Sequence, residues 1–555
     1  MSMRMFRHGP APGTLVSGIL ISIAFPPLEF HLLIWVALIP WLLGLRRCKS
    51  LAEAVGQGFW LNFLTGLGLS HWIVYAVPQY LGVSLAFGII ALGVYGLCSQ
   101  LQFVVFAPIF HRLVRRGHGP LAIRRLVLAA LLYTGLDWLI PNIFQDTLGW
   151  ALLAYPSISQ AAELGGAALL TFIVLTVNLL LFSLFEAAGA SSERIQARRG
   201  YASSRAALLI ILLLASWAAG SLRYRQVTGW SLAPIRSVEI GVVQGNVSNT
   251  IKRQWAAGDP KAARKNLDLY LDSTRELLAE DGRLDLILWP ETAYPGIFRK
   301  PESEAQASIN VVLDRFITRA RTPFIFGAYD REDRNDRRVL RNAIFFVEPK
   351  AHPSRVEPSP MRVYHKYILF PIGEYLPRVG ERLIRNWLPG AASLSRGKGP
   401  EVFDIEILNA DPIRLGPSIC YEDLFSAHVI ALARKGAELL VTISNDSWFG
   451  NHGEPRLHLI AAKLRSIATR LPQVRATNTG YSALILPSGE VLHETDYGTT
   501  RALNWTVPII APHRTLMTRW GDWFGPASLI LSLGGLLFSG SAHRAPTPRV
   551  SNLAH

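Results

Sequence analysis

Eight apolar stretches interrupt this chain, at roughly 11–27, 29–45, 53–77, 82–110, 122–140, 162–186, 205–222 and 523–540. Each approaches the ~20 apolar residues that a helix needs to cross a bilayer, which restricts the possible folds sharply. Half of the 555 residues are hydrophobic, more than an ordinary soluble protein of this length carries. The first stretch follows Arg4 and Arg7 as a secretory leader would. Phe25-Pro26-Pro27 is no small-residue cleavage site, however, and a second apolar stretch follows at once, so it reads as a retained helix.

The connections carry an orientation. Arg46, Arg47 and Lys49 follow the second stretch, and Arg112, Arg115, Arg116, Arg124 and Arg125 surround the connection after the fourth. Arg194, Arg198, Arg199 and Arg205 follow the sixth. The alternate connections, around 26–31, 77–82 and 141–161, hold no Lys or Arg. The positive-inside rule then puts both termini in the cytoplasm, with the tail residues His543, Arg544 and Arg549, and puts residues 223–522 on the far side. The net charge of +16 sits largely in these loops, and no zinc-finger or RNA-binding pattern accompanies it, so nucleic acid is not an expected partner. The apolar, aromatic connection 141–161 reads equally as an interfacial segment or a substrate lip. Asp137 is an ionisable group near the bilayer.

From residue 236 the texture changes. Apolar strands at 237–246, 285–290, 323–327, 342–347, 413–418, 438–443 and from 482 alternate with helical spacing at 259–280, 303–320, 424–435 and 458–469. Residues 330–341 read as a charged hairpin, and 351–361 and 386–400 as loops. That alternation implies an α/β domain. The expected organisation is membrane helices one to seven over 1–222, a globular domain over 223–522, and a last helix and tail over 523–555.

Three places carry reactive groups just after an apolar strand, where sites of open α/β sheets gather: Glu291 after Trp289-Pro290, Lys366 after Tyr364-His365, and Cys420 after Ser418-Ile419. Each has a bland reading, as surface acid, solvated base and core cysteine. Together they supply a general base, a cation and a soft nucleophile. Cys48 and Cys98 lie in the apolar half, so Cys420 has no disulfide partner nearby and too few cysteines for a zinc site. The N–H of Tyr421 is a candidate oxyanion donor.

Trp289-Pro-Glu291, His365-Lys366 with Phe370-Pro-Ile-Gly-Glu374-Tyr-Leu-Pro377, and Ser418-Ile-Cys-Tyr-Glu-Asp423 resemble the nitrilase, or carbon–nitrogen hydrolase, superfamily. Ser444-Asn-Asp-Ser-Trp-Phe-Gly450, Val474-Arg-Ala-Thr-Asn-Thr-Gly480, Ala24-Phe-Pro-Pro27 and Trp72 resemble its membrane-bound branch, the apolipoprotein N-acyltransferases. The resemblance implies a polytopic α-helical membrane bundle of about eight helices with an inserted α/β nitrilase-like domain, an α-β-β-α sandwich. It implies Glu291 as base, Lys366 as charge-stabilising cation and Cys420 as nucleophile, with Glu374, Tyr421 and Glu422 supporting the pocket. Trp255, Asn342 and Trp448 are candidate substrate contacts, although for Trp255 and Trp448 a packed aromatic is an equal reading. Two positions depart from the family's pattern: Leu457 where Gln is common before His458, and Ala468 where Glu is usual.

The implied activity is acyl transfer from a phospholipid, through a cysteine thioester, to the N-terminal amine of a diacylglyceryl-cysteine apolipoprotein. No cofactor or metal is expected. The implied setting is the bacterial inner membrane, with the catalytic domain periplasmic and the chain monomeric. Two other readings remain, the first of which uses the same three residues. One is a membrane-tethered amidase acting on a soluble amide, for which eight helices are a large anchor. The other is a transporter with an extracytoplasmic domain, against which the apolar stretches offer few ionisable residues, with Glu53, Asp137, Glu163 and Glu186 all near their ends.

Overall fold

A computed structural model describes residues 9–115, 122–188, 195–280, 284–301, 303–334, 337–350, 359–376, 393–407 and 410–541. The tail, most of the 351–361 loop and the first half of the 386–400 loop lie outside the described residues.

The N-terminal region is helical. Among the described residues, three helical stretches are long and apolar enough to cross a membrane: Leu85–Arg115, Ala162–Ala187 and Ala202–Leu232. Pro12–Ala24 and Phe524–Phe538 are shorter apolar helices. Other apolar stretches are broken where uniform helices were expected. The stretch 29–45 is a 3-10 turn, His31–Trp35, followed by a helix, Ile39–Arg47, with Pro40 in its first turn. The stretch 53–77 stops at Leu69 and restarts as Ile73–Leu81. The helix Ala162–Ala188 kinks at Gly165 and Gly166, where Gly166 takes φ +61. The last helix, Phe524–Ser541, returns to the bundle against Ile123–Leu139. A Cβ at Gly135 would lie 2.6 Å from Leu529 Cα, so only glycine admits that approach.

The connection 141–161 divides: its middle is buried, while near its start the Ile143 carbonyl accepts from the Tyr421 hydroxyl and the Phe144 ring packs against Phe370. Its 3-10 segment Leu148–Ala154 is buried in the bundle core, with Trp150 and Leu152 at 3% and 0% exposure. Asp137 joins a polar network inside the bundle, accepting from Gln102 Nε2 at 3.0 Å.

Among the described residues, the second region contains twelve strands. They are β1 Arg236–Gln244, β2 Leu286–Leu288, β3 Phe324–Arg334, β4 Arg337–Val347, β5 Met361–His365, β6 Phe403–Ile407, β7 Ala410–Ile419, β8 Leu439–Ser444, β9 Gln473–Thr477, β10 Ala483–Ile485, β11 Val491–Leu492 and β12 Arg501–Ile509. One six-stranded sheet has the order β12-β1-β2-β3-β4-β5, the other β11-β10-β9-β8-β7-β6. Inward residues of both sheets, among them Ile240, Leu288, Ile344, Leu415, Val441 and Val474, form one core. Helices Pro260–Glu280 and Glu304–Ala320 cover the outside of the first sheet, burying Leu267, Tyr270, Leu313 and Ile317. Helices Ser426–Arg434 and Glu454–Thr469 cover the second, through Val429 and Leu432 and through Leu459 and Ala462. The expected α-β-β-α sandwich is therefore present.

The expected strands are present. The charged stretch 330–341 continues β3 and β4 as a long hairpin. The sequence reading missed β5, β6, β9, β12 and the short helix Asn249–Ala256. β12 pairs antiparallel with β1 along its whole length, a partnership 257 to 273 residues apart that no local pattern announces.

Candidate active site

β1, β2 and β3 run parallel, β4 runs antiparallel to β3, and β5 antiparallel to β4, so β2 and β5 point the same way. In the facing sheet β7, β8 and β9 are parallel. Glu291, Lys366 and Cys420 each leave the carboxyl end of such a strand, β2, β5 and β7 in turn.

Glu291 sits on a tight turn. Thr292 takes φ 53, and a Cβ at Gly327 would lie 2.6 Å from Glu291 Cα, so glycine lets β3 pass close behind. Both carboxylate oxygens are held. Asn342 Nδ2 donates to Oε1 at 2.6 Å, and the Asn445 N–H donates to Oε2 at 2.9 Å. The same Asn342 Nδ2 donates to Glu374 Oε1 at 3.0 Å. Lys366 Nζ donates to Glu374 Oε1 at 2.9 Å and lies 3.6 Å from Glu291 Oε1. The Lys366 ammonium is buried. Burial alone would lower its pKa, but Glu374 and Glu291 more than reverse that and hold it well above the usual lysine value. It is a fixed cation between two carboxylates.

Cys420 opens the 3-10 turn Cys420–Leu424 with φ 51, a conformation that side-chain-bearing residues rarely adopt. Burial, with the Glu291 charge, pushes its thiol pKa well above the ordinary value, while Lys366 and a hydrogen bond from Ser444 pull it down. The thiol is therefore protonated at rest and needs a base to become a nucleophile.

The supporting residues have distinct tasks. Glu374 clamps its own loop, accepting the Phe370 N–H on Oε2 at 2.8 Å. Glu422 is completely buried and accepts four donors: Tyr364 Oη at 2.8 Å, Tyr367 N at 2.6 Å, Ile368 N at 3.1 Å and Ile419 N at 2.8 Å. It ties the chain after Lys366 to the chain before Cys420. Tyr421 reaches out of the domain, its hydroxyl donating to the Ile143 carbonyl of the membrane region and its ring packing on Phe370. Trp448 stacks edge-on against Tyr80, at 5.0 Å, and the Tyr80 hydroxyl donates to the Gly373 carbonyl beside Glu374. Trp255 is not brought to this cluster. It packs on the apolar layer outside the first sheet.

Sequence reasoning missed Lys252, Tyr80 and His458. Lys252 Nζ donates to Thr292 Oγ1 at 3.1 Å, next to Glu291, and burial lowers its pKa to about 7 against an opposing pull from Glu291. Its place beside Trp255 in the Lys252-Arg-Gln-Trp255 run was the one available signal. The two departures fall away from the three reactive groups. Leu457 packs against the membrane-bundle core, and Ala468 is buried with Ile430 and Met517. Cys420, Asp446 and His458 present metal-ligating atoms within 4.8 Å of one another. A cation there would face Arg475, which is already paired with Asp446.

The family described as carbon-nitrogen hydrolase matches residues 240–507, and the apolipoprotein N-acyltransferase N-terminal domain matches residues 17–180. The chain is 31% identical to an apolipoprotein N-acyltransferase of Gloeobacter violaceus, over 96% of this chain and 94% of that protein. It is 27% identical to one of Bdellovibrio bacteriovorus, over 95% and 93%. Among solved structures it resembles an amidase from Nesterenkonia sp. at 18% identity and TM-score 0.33, over 50% of this chain and 92% of that one. The 240–507 match contains Glu291, Lys366 and Cys420, and the 17–180 match contains Tyr80 and Ile143, which touch the loops bearing them.

Proposed function

Because the chain belongs to the apolipoprotein N-acyltransferase family, we propose that Glu291, Lys366 and Cys420 form its catalytic triad and carry an acyl group between two lipid substrates. The enzyme is an N-acyltransferase of lipoprotein maturation and works at a membrane. Its donor is a phospholipid, with phosphatidylethanolamine the preferred choice, and its acceptor is the free N-terminal amine of a diacylglyceryl-cysteine apolipoprotein.

In the first step Glu291 takes the thiol proton and Cys420 sulfur attacks the ester carbonyl. Lys366 and the Tyr421 N–H stabilise the oxyanion. The C–O bond breaks, Glu291 returns the proton to the leaving alkoxide, and lysophospholipid departs from the thioester. In the second step the acceptor amine attacks the thioester, Glu291 takes its proton, and the C–S bond breaks to restore the thiol. Two easier steps replace one difficult one, and ping-pong kinetics follow. Glu374 and Asn342 keep Lys366 and Glu291 in register, and Trp448, edge-on to Tyr80, is assigned to contact an acyl chain in this reading.

The observation that carries this reading is the junction between site and membrane region. The loop holding Glu374 is bonded to Tyr80, and the residue after Cys420 is bonded to Ile143. A site fixed to its membrane region suits substrates whose acyl chains resist leaving the bilayer, each gaining about 0.8 kcal/mol per buried CH₂. The same reading assigns residues 1–222 and 523–555 to a bundle crossing eight times, with broken stretches such as 51–81 counted as single crossings. It puts residues 223–522 in the periplasm, both termini in the cytoplasm, and the working unit as a monomer.

The test is to incubate purified protein with acyl-labelled phospholipid and quench. A hydroxylamine-sensitive acyl adduct on Cys420, missing in Cys420→Ser, is the expected result. No adduct, together with turnover of a soluble amide, would refute the assignment.

A further inference from the structure

Behind Cys420 lies a buried charged cluster that the two-step chemistry does not use. His458, on the helix Glu454–Thr469, shares its Nε2–H between the Cys420 carbonyl at 3.1 Å and Asp423 Oδ1 at 2.7 Å. Its Nδ1 faces Asp446 Oδ1 at 3.4 Å. Arg475, from β9, braces both acids, reaching Asp423 Oδ2 at 2.7 Å and Asp446 Oδ2 at 3.4 Å. Ser444 Oγ donates to Asp446 at 2.5 Å. Arg465 is spent on the Asp423 and Leu424 carbonyls. All four charged groups, Asp423, Asp446, His458 and Arg475, are at most 3% exposed.

The charges decide what this cluster does to the thiol. Two aspartates against one arginine leave a net negative charge unless the imidazole is protonated. The Cys420 sulfur, one Asp446 carboxylate oxygen and one His458 ring nitrogen lie within 4.8 Å of one another. With a neutral ring, a forming thiolate would meet an uncompensated aspartate at that distance. With a charged ring it meets a balanced cluster whose cation lies beside it. The same ring fixes the Cys420 carbonyl and with it the left-handed backbone, φ 51, that turns the thiol out of β7.

We propose that His458 is a positioning residue for Cys420: as an imidazolium it holds the nucleophile's backbone and acts, with Lys366 on the other side, as the second positive charge that favours the thiolate. This rests on the reading of Cys420 as the acyl-accepting nucleophile. Burial and Arg475 would lower the pKa of His458, but Asp423 and Asp446 raise it to about 10, so the ring is charged at neutral pH. Two further buried acids line a cavity of about 20 Å³ together with His458: Glu454, and Asp146, which accepts from Gln100 Nε2 at 3.0 Å and Asn142 Nδ2 at 2.8 Å. Burial raises the Glu454 pKa to about 8, so at neutral pH it adds no negative charge.

The test is the rate of iodoacetamide alkylation at Cys420 against pH in the full-length protein, read on the Cys420 peptide so that Cys48 and Cys98 do not interfere. In His458→Gln, which keeps a neutral N–H for the Cys420 carbonyl, the midpoint should rise, and the rate near neutral pH should fall ~10-fold. His458→Phe should move at least as far. Asp446→Asn, which removes the nearer negative charge, should move the midpoint down. Unfolding temperatures are recorded beside each. A folded His458→Gln protein whose midpoint is unchanged overturns the proposal, whether or not its transfer rate falls. The midpoint is read without lipid, so failure of wild-type protein to take up an acyl chain would count against the function and not against this electrostatic role.

Discussion

Asn342 Nδ2 lies 2.6 Å from Glu291 Oε1, and the same nitrogen lies 3.0 Å from Glu374 Oε1. One amide therefore spaces Glu291 from Glu374, the acid that pairs most closely with Lys366. Its orientation follows from chemistry, since two carboxylates require the NH₂ and not the carbonyl. Asn342→Ala should leave the protein folded and lower the initial rate of acyl transfer roughly 10- to 100-fold, the scale of a lost hydrogen bond to a charged group. Asn342→Asp should do worse, because it crowds a third carboxylate around a single ammonium. A rate within twofold of wild type in Asn342→Ala would remove Asn342 from the pocket's working parts.

Glu422 is a structural brace between two reactive loops. Its carboxylate, itself fully buried, collects three backbone N–H groups and the Tyr364 hydroxyl. Glu422→Gln turns part of an acceptor into a donor facing donors. It should cost about 3 kcal/mol of stability and reduce transfer, both measured on purified protein. Lost activity with an unchanged unfolding transition would mean that Glu422 acts on substrate instead.

The sandwich is held to the membrane region by a second buried contact. Arg470, fully buried, donates to Glu163 Oε2 at 2.8 Å, to Gln160 Oε1 at 2.8 Å and to the Pro487 carbonyl at 2.8 Å. Arg470→Ala leaves Glu163 to Arg223 alone, which donates to both of its oxygens at 2.7 and 2.8 Å, and strips Gln160 and the Pro487 carbonyl of their donor, so it should destabilise the protein by about 1–3 kcal/mol. Thermal unfolding in detergent checks this. If the junction positions the site for lipid, transfer from phospholipid should fall further than alkylation of Cys420 does.

The stability of the cluster behind Cys420 has a definite pH signature. His458 has a folded pKa raised from 6.5 to about 10, so its contribution is full below pH 6.5 and is lost as pH rises through 10. Asp446 has a folded pKa lowered from 3.8 to about 2, so its contribution is present above 3.8 and lost as pH falls through 2. Lys252, lowered from 10.5 to about 7, works the other way and gains stability between those values as pH rises. The difference in unfolding free energy between wild type and His458→Gln isolates the histidine. It should shrink steadily from pH 6.5 to 10. A difference independent of pH would show that the ring is neutral in the folded state.

Much of the site was legible because its chemistry lies at strand ends. Glu291, Lys366 and Cys420 each follow an apolar run that forms a strand, so residue type and position agreed. Glu374 and Asn342 came with the motif resemblance. The site's long-range partners left no local trace. Tyr80 meets Gly373 across 293 residues and Tyr421 meets Ile143 across 278, and neither pair shares any periodicity. His458 reads in the sequence as one ring on an amphipathic helix, and only the fold sets it against Cys420. Trp255 shows the converse, an aromatic beside the right strand that packs into the outer layer instead. The membrane stretches were legible as apolar helices, but the places where those helices break were not. Mean hydropathy does not register the break at Ser70 or the kink at Gly165 and Gly166, because a chain can turn inside a bundle without becoming polar.

The most direct measurement is a chase. Full-length protein is loaded with acyl-labelled phospholipid, freed of donor, and then given a diacylglyceryl-cysteine peptide with a free N-terminus. The label should leave Cys420 and appear as an amide on the peptide's α-nitrogen, at the rate of overall transfer, and none should move in Cys420→Ser or Glu291→Gln. Label that stays on Cys420 when the amine is added, or reaches the peptide without passing through Cys420, would contradict the account.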